Sequence, residues 1–467
     1  MSPAPELPPG RLLAWYGDDW TGAAAVMEAL EFGGVPAVLF LDPPDETALA
    51  AFPQARGIGI AGTARAEPPE WMDRELPSLL TALRDLGAAL SLYKICSTLD
   101  SSPRTGSIGR AAEIGLRLFG ADWAPLMPAS PDLGRWQAFG TLFAADGTGA
   151  VHRLDRHPVM ARHPVTPMDE AEVCRHLARQ TALPLAALHR TAYAAPDGGR
   201  AALAALAARG GLVALDCAGA DDHAPAGRLL WEMRHEAPLA IGSQGVAYAL
   251  LAHWRAQGWL GPPPTLHGAG ERGPVAAVSG SVSPTTAAQI AAAEAAGFAL
   301  VPFEAAALLG PDGGAAELAR AEAAALAALS RGQSVLVHSA RGPDDPAVAR
   351  FRAALGTRSA AAAQALLGRQ MGALLAALVA RAGLRRVVVS GGDTAGRAAR
   401  ALGLVALTAL APTVPGAALC RGHRRDGGTV EVALKGGQMG RPDFFAAIRA
   451  GGGLQPQGEQ GECCSTS

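Results

Sequence analysis

The chain has 467 residues, a formal net charge of −2, 49% hydrophobic and 18% charged residues. That length carries two or three domains with ample core, and the balanced charge without a basic block excludes the electrostatic footprint of a nucleic-acid binder. The basic residues are 38 Arg and two Lys, Lys94 and Lys435, and there is no Asn, so N-glycosylation and any catalytic Asn are ruled out.

No apolar run of about 18 residues is free of breakers, so no membrane span is expected. The first ten residues are Pro-rich. They lack the charged and then apolar pattern of a secretion signal. The six cysteines, at 96, 174, 217, 420, 463 and 464, form no CxxC pair. Free thiols and a cytoplasmic location are the expectation.

Short apolar runs alternate with Ala/Leu-rich helical stretches along the chain. Strands are predicted at 12–16, 37–40, 58–61 and 90–94, with helices at 23–32, 71–86 and 108–118. Further strands are predicted at 212–215, 239–242, 276–279, 334–337 and 387–390, with helices at 287–296, 315–329, 359–382 and 394–402. This is the α/β pattern of a mostly parallel sheet flanked by helices. The Pro- and Gly-rich stretch 258–274 reads as a linker between an N-terminal domain, 1–257, and a C-terminal domain, 275–452. Residues 453–467 read as a disordered tail.

Several segments carry chemistry. The first strand runs into two adjacent acids, Asp18 and Asp19, before a helix opens at Thr21-Gly22. One acid would satisfy an N-cap. Two beside Gly17 and Gly22 favour a site for hydroxyls or a metal ion, at the strand end where α/β sheets bind ligands. The strand at 90–94 ends on Lys94, and a hydroxyl-rich loop with Ser97, Asp100 and Arg104 leads into the next helix. Such a loop of OH and NH donors suits an anionic ligand. A lysine kept in an Arg-rich background marks a place where a compact point charge is wanted. Arg135, in the turn-rich segment 128–136, could hold a carboxylate bidentately, although a plain surface turn is the simpler reading. The three histidines of 152–168 match no metal-site spacing and read as an ordered loop.

Gly57-Ile-Gly-Ile-Ala-Gly62 satisfies GxGxxG literally, but no helix opens after it, so a dinucleotide site is rejected there. Thr63 and Arg65 in that loop are better placed to touch a small polar ligand. In the second domain three strand ends are glycine-rich: 278–284 with Ser279 and Ser281, 387–396 with Gly391, Gly392, Asp393 and Thr394, and 432–440 with Lys435 and Gly436. Glycines let backbone approach phosphates, and helix N-termini supply amides and positive dipole. Together they suggest a nucleotide pocket. Walker A, protein-kinase, GxSxG and HExxH patterns are absent.

These segments, taken in order, resemble one family. GDDWTGAAAVMEAL resembles the A-D-D-x-T-G-A opening of the four-carbon acid sugar kinases. YKICSTLDSSPRTGSIG, PASPDLGRWQAFGTLF and HPVTPMDEA resemble its K-x-D-S-T-x-R-G-N, P-A-x-P-x-x-G-R and H-P-x-x-P-M segments. SGSVSPTTAAQI, SGGDTAGRAARALG and LKGGQMG resemble its nucleotide segments S-G-S-x-S, G-G-E-T-S-G and L-K-S-G-N-F-G. The resemblance spans about residues 12–445.

The resemblance implies two α/β domains with an active site in the cleft between them. It implies ATP-dependent phosphorylation of a hydroxyl on a small sugar acid, with Mg²⁺ accompanying ATP and no metal ligands assigned. Asp18, Asp19, Lys94 and Arg135 would face the acid, joined on the reading of the loops themselves by Arg65, Ser97 and Arg104. Ser281 or Ser279, Gly391, Gly392, Asp393, Thr394 and Gly436 would contact ATP, and Lys435 in the last of these loops would neutralise phosphate. Asp19, with Asp393 as rival, would orient or deprotonate the attacking hydroxyl. The partners are then a sugar acid and ATP, without nucleic acid or membrane, and a homo-oligomer is left open. Cys96 stands where the family usually has Asp, Asp100 where Arg is expected, Gln438 for Asn and Asp393 for Glu. The change around Cys96 falls in the acid-binding loop and points to an oxo or branched acid such as 3-oxo-isoapionate. A metal-dependent hydrolase or phosphatase using Asp18 and Asp19, and a non-catalytic sugar-acid-binding protein, are the competing readings.

Overall fold

The computed structural model describes residues 7–163, 165–414 and 416–453, apart from the side chain of Asp393. The expected tail, 454–467, lies outside the described residues. The chain divides into two compact units. The first comprises Met1–Pro264, Gly403–Ala409 and Gly422–Gly428, and the second Thr265–Leu402, Leu410–Arg421 and Thr429–Ser467. Residues 403–409 and 422–428, which the sequence reading assigned to the C-terminal domain, thus cluster with the first unit.

In the first unit the strands are β1 (Leu13–Gly17), β2 (Ala37–Phe40), β3 (Gly57–Ile60), β4 (Leu90–Lys94), β5 (Trp123–Met127), β6 (Arg135–Ala138), β7 (Thr141–Ala145), β8 (Val151–Arg153), β9 (Leu185–Leu188), β10 (Gly211–Leu215) and β11 (Leu239–Gly242). The main sheet runs β2-β3-β1-β4-β11-β5-β10-β9, with parallel pairing throughout. β6, β7 and β8 form a separate antiparallel sheet. The turn-rich segment 128–136 predicts a turn at Arg135, where the structure has a strand. The period-2 pattern there is short and half-buried, so it leaves little signal.

Buried apolar strands explain the near-continuous hydrophobic runs, since both faces are covered. Ala14, Tyr16, Ile58 and Ile60 pack with Met72, Leu76 and Leu80 of the helix Pro69–Asp85 and Ile108, Ala111 and Ile114 of the helix Ile108–Phe119. Trp15 points the other way, and its indole Nε1 donates to Ala23 O at 3.0 Å, on the helix Trp20–Phe32. The helix after β1 therefore covers one face and the helix after β4 the other. β1 and β4 are neighbours, in register from Leu13↔Leu90 to Gly17↔Lys94. Where the connections leaving adjacent parallel strands lead to opposite sides, here from β1 towards β2 and from β4 towards β5, a crevice opens beyond their carboxyl ends.

In the second unit β12 (Ala276–Ser279), β13 (Ala299–Pro302), β14 (Val335–His338), β15 (Arg386–Ser390), β16 (Leu404–Ala411), β17 (Leu419–Arg424) and β18 (Thr429–Lys435) follow, with β16 and β17 each contributing residues to both units. Five of these strands are parallel in the order β13-β14-β12-β15-β18. Ala277, Leu336, Val388 and Ala433 pack with Ile290, Phe444, Phe445 and Ile448. They thereby bury the helices Pro284–Ala295 and Phe444–Ala450 on one face. The helix Gly392–Ala401, after β15, packs instead on the long helix Ala360–Ala382, where a Cβ at Gly372 would stand 2.9 Å from Ala398 Cα. A second switch point therefore lies between β12 and β15. Helix Ala360–Ala382 is the one described helix long and apolar enough to cross a membrane by length and composition. Its packing against the helices Ala315–Ser330 and Gly392–Ala401 and against β12 makes it a core element of this unit.

Candidate active site

The first cluster sits at the β1/β4 switch point. Asp18 follows β1; its amide donates to Lys94 O at 3.0 Å, and its carbonyl accepts from Arg65 N at 2.9 Å. The Arg65 guanidinium donates to both carboxyl oxygens of Asp18, Nη2 to Oδ1 at 2.6 Å and Nε to Oδ2 at 3.2 Å. Its Nη2 also lies 2.6 Å from Asp19 Oδ1. Arg65 is thus committed to the two acids and fixes them; this is a positioning role beside the substrate contact expected of it.

Asp19 does cap the helix Trp20–Phe32, accepting from Gly22 N at 3.1 Å, and it also accepts from Thr21 Oγ1 at 2.6 Å. Capping leaves the Asp19 side chain 24% exposed. Its carboxylate resists the upward push of burial: Arg65 and Lys94 hold it below the usual range. Burial raises the Asp18 carboxyl, opposed by Arg65. Adjacent acids pushed in opposite directions are suited to different tasks.

Lys94 ends β4 and is buried, with Nζ donating to Ile95 O at 2.7 Å. Burial, followed by the nearby Arg65 charge, lowers its pKa. The residue that makes room for it is Gly22, where a Cβ would stand 2.6 Å from Lys94 Nζ. The sequence marks Gly22 only as a glycine beside the two acids; the fold shows the crowding against Lys94.

The loop after β4 holds a hydrogen-bonded chain. Cys96 Sγ lies 3.0 Å from Thr98 Oγ1, which donates to Asp100 Oδ1 at 2.8 Å. Burial, with the Asp100 charge, pushes the Cys96 thiol up. Ser97 is half-buried between them. Arg135 donates through Nη1 to Leu133 O at 3.0 Å and Gly134 O at 2.9 Å. Burial lowers its pKa, while Cys96 and Asp100 act on it electrostatically in the opposite sense, so Arg135 belongs to this neighbourhood. Arg104 is exposed on the following turn, with no contact to the Asp18–Arg65 cluster among the described residues.

The second cluster sits at the β12/β15 switch point. Ser283 caps the helix Pro284–Ala295, accepting from Thr286 N at 3.0 Å. Thr286 Oγ1 lies 3.0 Å from Ser281 Oγ and 2.9 Å from Gly437 O. Gln289 Nε2 donates to Met439 O at 2.9 Å and Arg441 O at 3.0 Å. These bonds tie the glycine loop after β18 to the loop after β12. Thr286 and Gln289 were not singled out from sequence, because a helical Thr and Gln carry no motif.

Gly391 takes φ +126, a conformation that favours glycine, and a Cβ there would stand 3.3 Å from Thr394 Oγ1 and 3.6 Å from Ser281 N. Ser281, Gly391 and Thr394 therefore converge. Gly392 opens its helix without a side-chain cap and has nothing within 4 Å of its Cβ position. The amides of Thr394 and Ala395 bond Gly391 O at 3.1 and 3.0 Å, which leaves the Gly392 amide before them without a side-chain cap among the described residues. The expected role of Asp393 rests on a side chain outside the described residues.

Lys435 is fully buried; Nζ donates to Gly436 O at 3.1 Å and reaches Thr286 Oγ1 at 3.5 Å. Burial alone pushes its pKa down to about 8. Ser279 and Ser390 end β12 and β15 as register partners, buried, with hydroxyls that lack a partner. An uncapped helix start, glycine backbone and a buried ammonium with no carboxylate partner among the described residues fit a polyphosphate. Among the described residues no three His, Cys, Asp or Glu side chains gather as a metal site.

Residues 13–250 match the family model of a sugar-binding N-terminal domain and residues 276–445 that of a nucleotide-binding C-terminal domain. The chain is 47% identical over 451 residues to the 3-oxo-isoapionate kinase of Paraburkholderia graminis, covering 95% of both chains. It is 32% identical over 457 residues to the 3-oxo-tetronate kinase of Cupriavidus necator, covering 95% of this chain and 98% of that one. A solved structure from Salmonella typhimurium LT2 superposes with TM-score 0.74 at 25% identity, over 94% of this chain and 98% of the other. The two matched domains, together with near-complete coverage by sugar-acid kinases, show that the chain belongs to the four-carbon acid sugar kinase family.

Proposed function

We propose that the protein transfers the γ-phosphoryl group of ATP to a hydroxyl of a branched oxo sugar acid, 3-oxo-isoapionate, in the cytoplasm. The observation that carries this reading is the 47% identity to a 3-oxo-isoapionate kinase across 95% of both chains, against 32% to a 3-oxo-tetronate kinase. The neutral Cys96 in the acid-binding loop supports the same choice.

Phosphoryl transfer passes through a loose transition state, so catalysis is mainly positioning and charge stabilisation. The N-terminal unit takes the acid. Lys94 supplies a compact charge for its carboxylate, with Arg135 beside the Cys96–Asp100 chain as a second cationic contact. Asp19, kept ionised and held by Arg65, accepts a hydrogen bond from the attacking hydroxyl; a strong base is not needed for so loose a transition state. The C-terminal unit takes the nucleotide. Gly391, Gly392 and Gly436 bring backbone to the phosphates, Ser281 and Thr394 offer hydroxyls, and Lys435 neutralises charge. Mg²⁺ accompanying ATP would supply further charge neutralisation at the phosphates, and no protein ligand for it is assigned.

A coupled ADP-release assay over four- and five-carbon hydroxy and oxo acids tests the reading. Highest kcat/KM is expected with 3-oxo-isoapionate. A preference for 3-oxo-tetronate would replace the substrate, and no ATP turnover with any acid would remove the kinase assignment.

A further inference from the structure

Beside the phosphate-binding loops the second unit holds a cavity of about 300 Å³ with no assigned role. It lies at the carboxyl ends of β13 and β14. His338, the last residue of β14, lines it and is the register partner of Ser279 on β12. The next residue, Ser339, donates its amide to Ser279 O at 3.0 Å. Adjacent strands are separated by about 4.8 Å, so the cavity opens one strand to the side of Ser281 and its glycine partners. That offset is within the reach of a nucleoside whose phosphates rest on those loops.

The lining rejects an anion. Glu317 accepts from Arg320 Nε at 2.7 Å and Glu304 accepts from Arg350 Nε at 2.8 Å. Asp345 accepts from Ala347 N at 2.9 Å and Arg341 N at 2.7 Å, capping the helix Pro346–Leu355. Each charge is answered from within, in contrast to Lys435. The exception to this self-sufficiency is His338. It is 3% exposed, and neither ring nitrogen has a hydrogen-bond partner. Burial holds its pKa near 4, so the ring is neutral at pH 7. A neutral imidazole presents one donor and one acceptor. Phe303, 2% exposed, supplies an apolar wall. The complement of such a cavity is an uncharged polar heterocycle with its sugar.

We propose that this cavity receives the base and ribose of the phosphoryl donor and that His338 hydrogen-bonds to that nucleoside as a specificity residue. The proposal rests on the nucleotide reading above.

Isothermal titration of wild type, His338→Ala and Ala347→Trp with ADP, adenosine and inorganic tripolyphosphate tests it. Ala347 lines the cavity and is half-buried, so the indole fills the space even where loss of His338 disturbs folding. Both variants are expected to bind ADP at least tenfold more weakly and to lose adenosine, with tripolyphosphate affinity within twofold of wild type. Unchanged ADP affinity in a folded variant would overturn the nucleoside assignment and leave the kinase reading standing. Wild type that binds neither ADP nor tripolyphosphate would overturn both.

Discussion

Gly22 is packed so closely over Lys94 that a Cβ on the glycine would stand 2.6 Å from the lysine Nζ. The first helical turn and the end of β4 share one small space, and the absent side chain keeps it open. Gly22→Ala gains helix propensity of about 0.5–1 kcal/mol yet displaces Lys94 and Asp19. The KM for the sugar acid is expected to rise at least tenfold, with a melting temperature within a few degrees of wild type. Unaltered KM would detach Gly22 and Lys94 from acid binding.

Arg65 answers two acids with one guanidinium. Removing one member of a buried ion cluster costs about 3–5 kcal/mol, because the remaining charge is left uncompensated. Arg65→Ala is expected to lose that much in urea unfolding, and adding Asp18→Asn should recover part of it. Simple additivity of the two changes would mean that they do not share a cluster.

Lys435 is the opposite case, a buried charge with no carboxylate partner among the described residues. Lys435→Met replaces it with an apolar chain of similar volume. Thermal stability is expected to hold or rise, while ADP affinity falls at least thirtyfold, about 2 kcal/mol. A stable variant with wild-type ADP affinity would exclude Lys435 from the phosphate site.

The same lysine predicts a pH signature. Its pKa in the folded protein, about 8, lies below the ordinary 10.5. Between those values the unfolded chain binds more protons, so stability rises with pH across that window; below about 8 both states are charged and the burial cost is felt in full. A bound polyphosphate favours the charged form. ADP binding at pH 8.5 should therefore take up protons, and affinity should decline as pH rises past 8. Calorimetry in two buffers of different ionisation enthalpy measures the uptake, and none would contradict the contact.

Cys96 carries the substrate prediction. Cys96→Asp places a carboxylate beside Asp100 and Thr98, the residue type usual in the family. The kcat/KM ratio of 3-oxo-tetronate to 3-oxo-isoapionate is expected to rise at least fivefold. A constant ratio would show that selectivity is set elsewhere.

Much of the fold is legible in the sequence. The alternation of apolar runs and Ala-rich stretches predicts the α/β units, and Asp18, Asp19, Lys94, Ser281, Gly391 and Lys435 stand out as a pair of acids, the two lysines of the chain and glycine-rich loops, all at predicted strand ends. Arg65 was also named, but its pairing with both acids needs the β3 loop to fold back over β1, a contact 46 residues apart for Asp19 that no local pattern encodes. Thr286, Gln289 and His338 were invisible for a related reason. Each is an ordinary residue of a helix or strand whose meaning comes from a neighbour brought in by topology. The hairpin carrying Arg135 was read as a turn because its strands are too short to establish a period.

The central claim is tested most directly by following ³¹P NMR of ATP and Mg²⁺ with purified protein and 3-oxo-isoapionate. The account predicts ADP and a new phosphate monoester appearing in equal amounts, with no inorganic phosphate. ATP left intact, or converted to ADP and free phosphate without an ester, would contradict it.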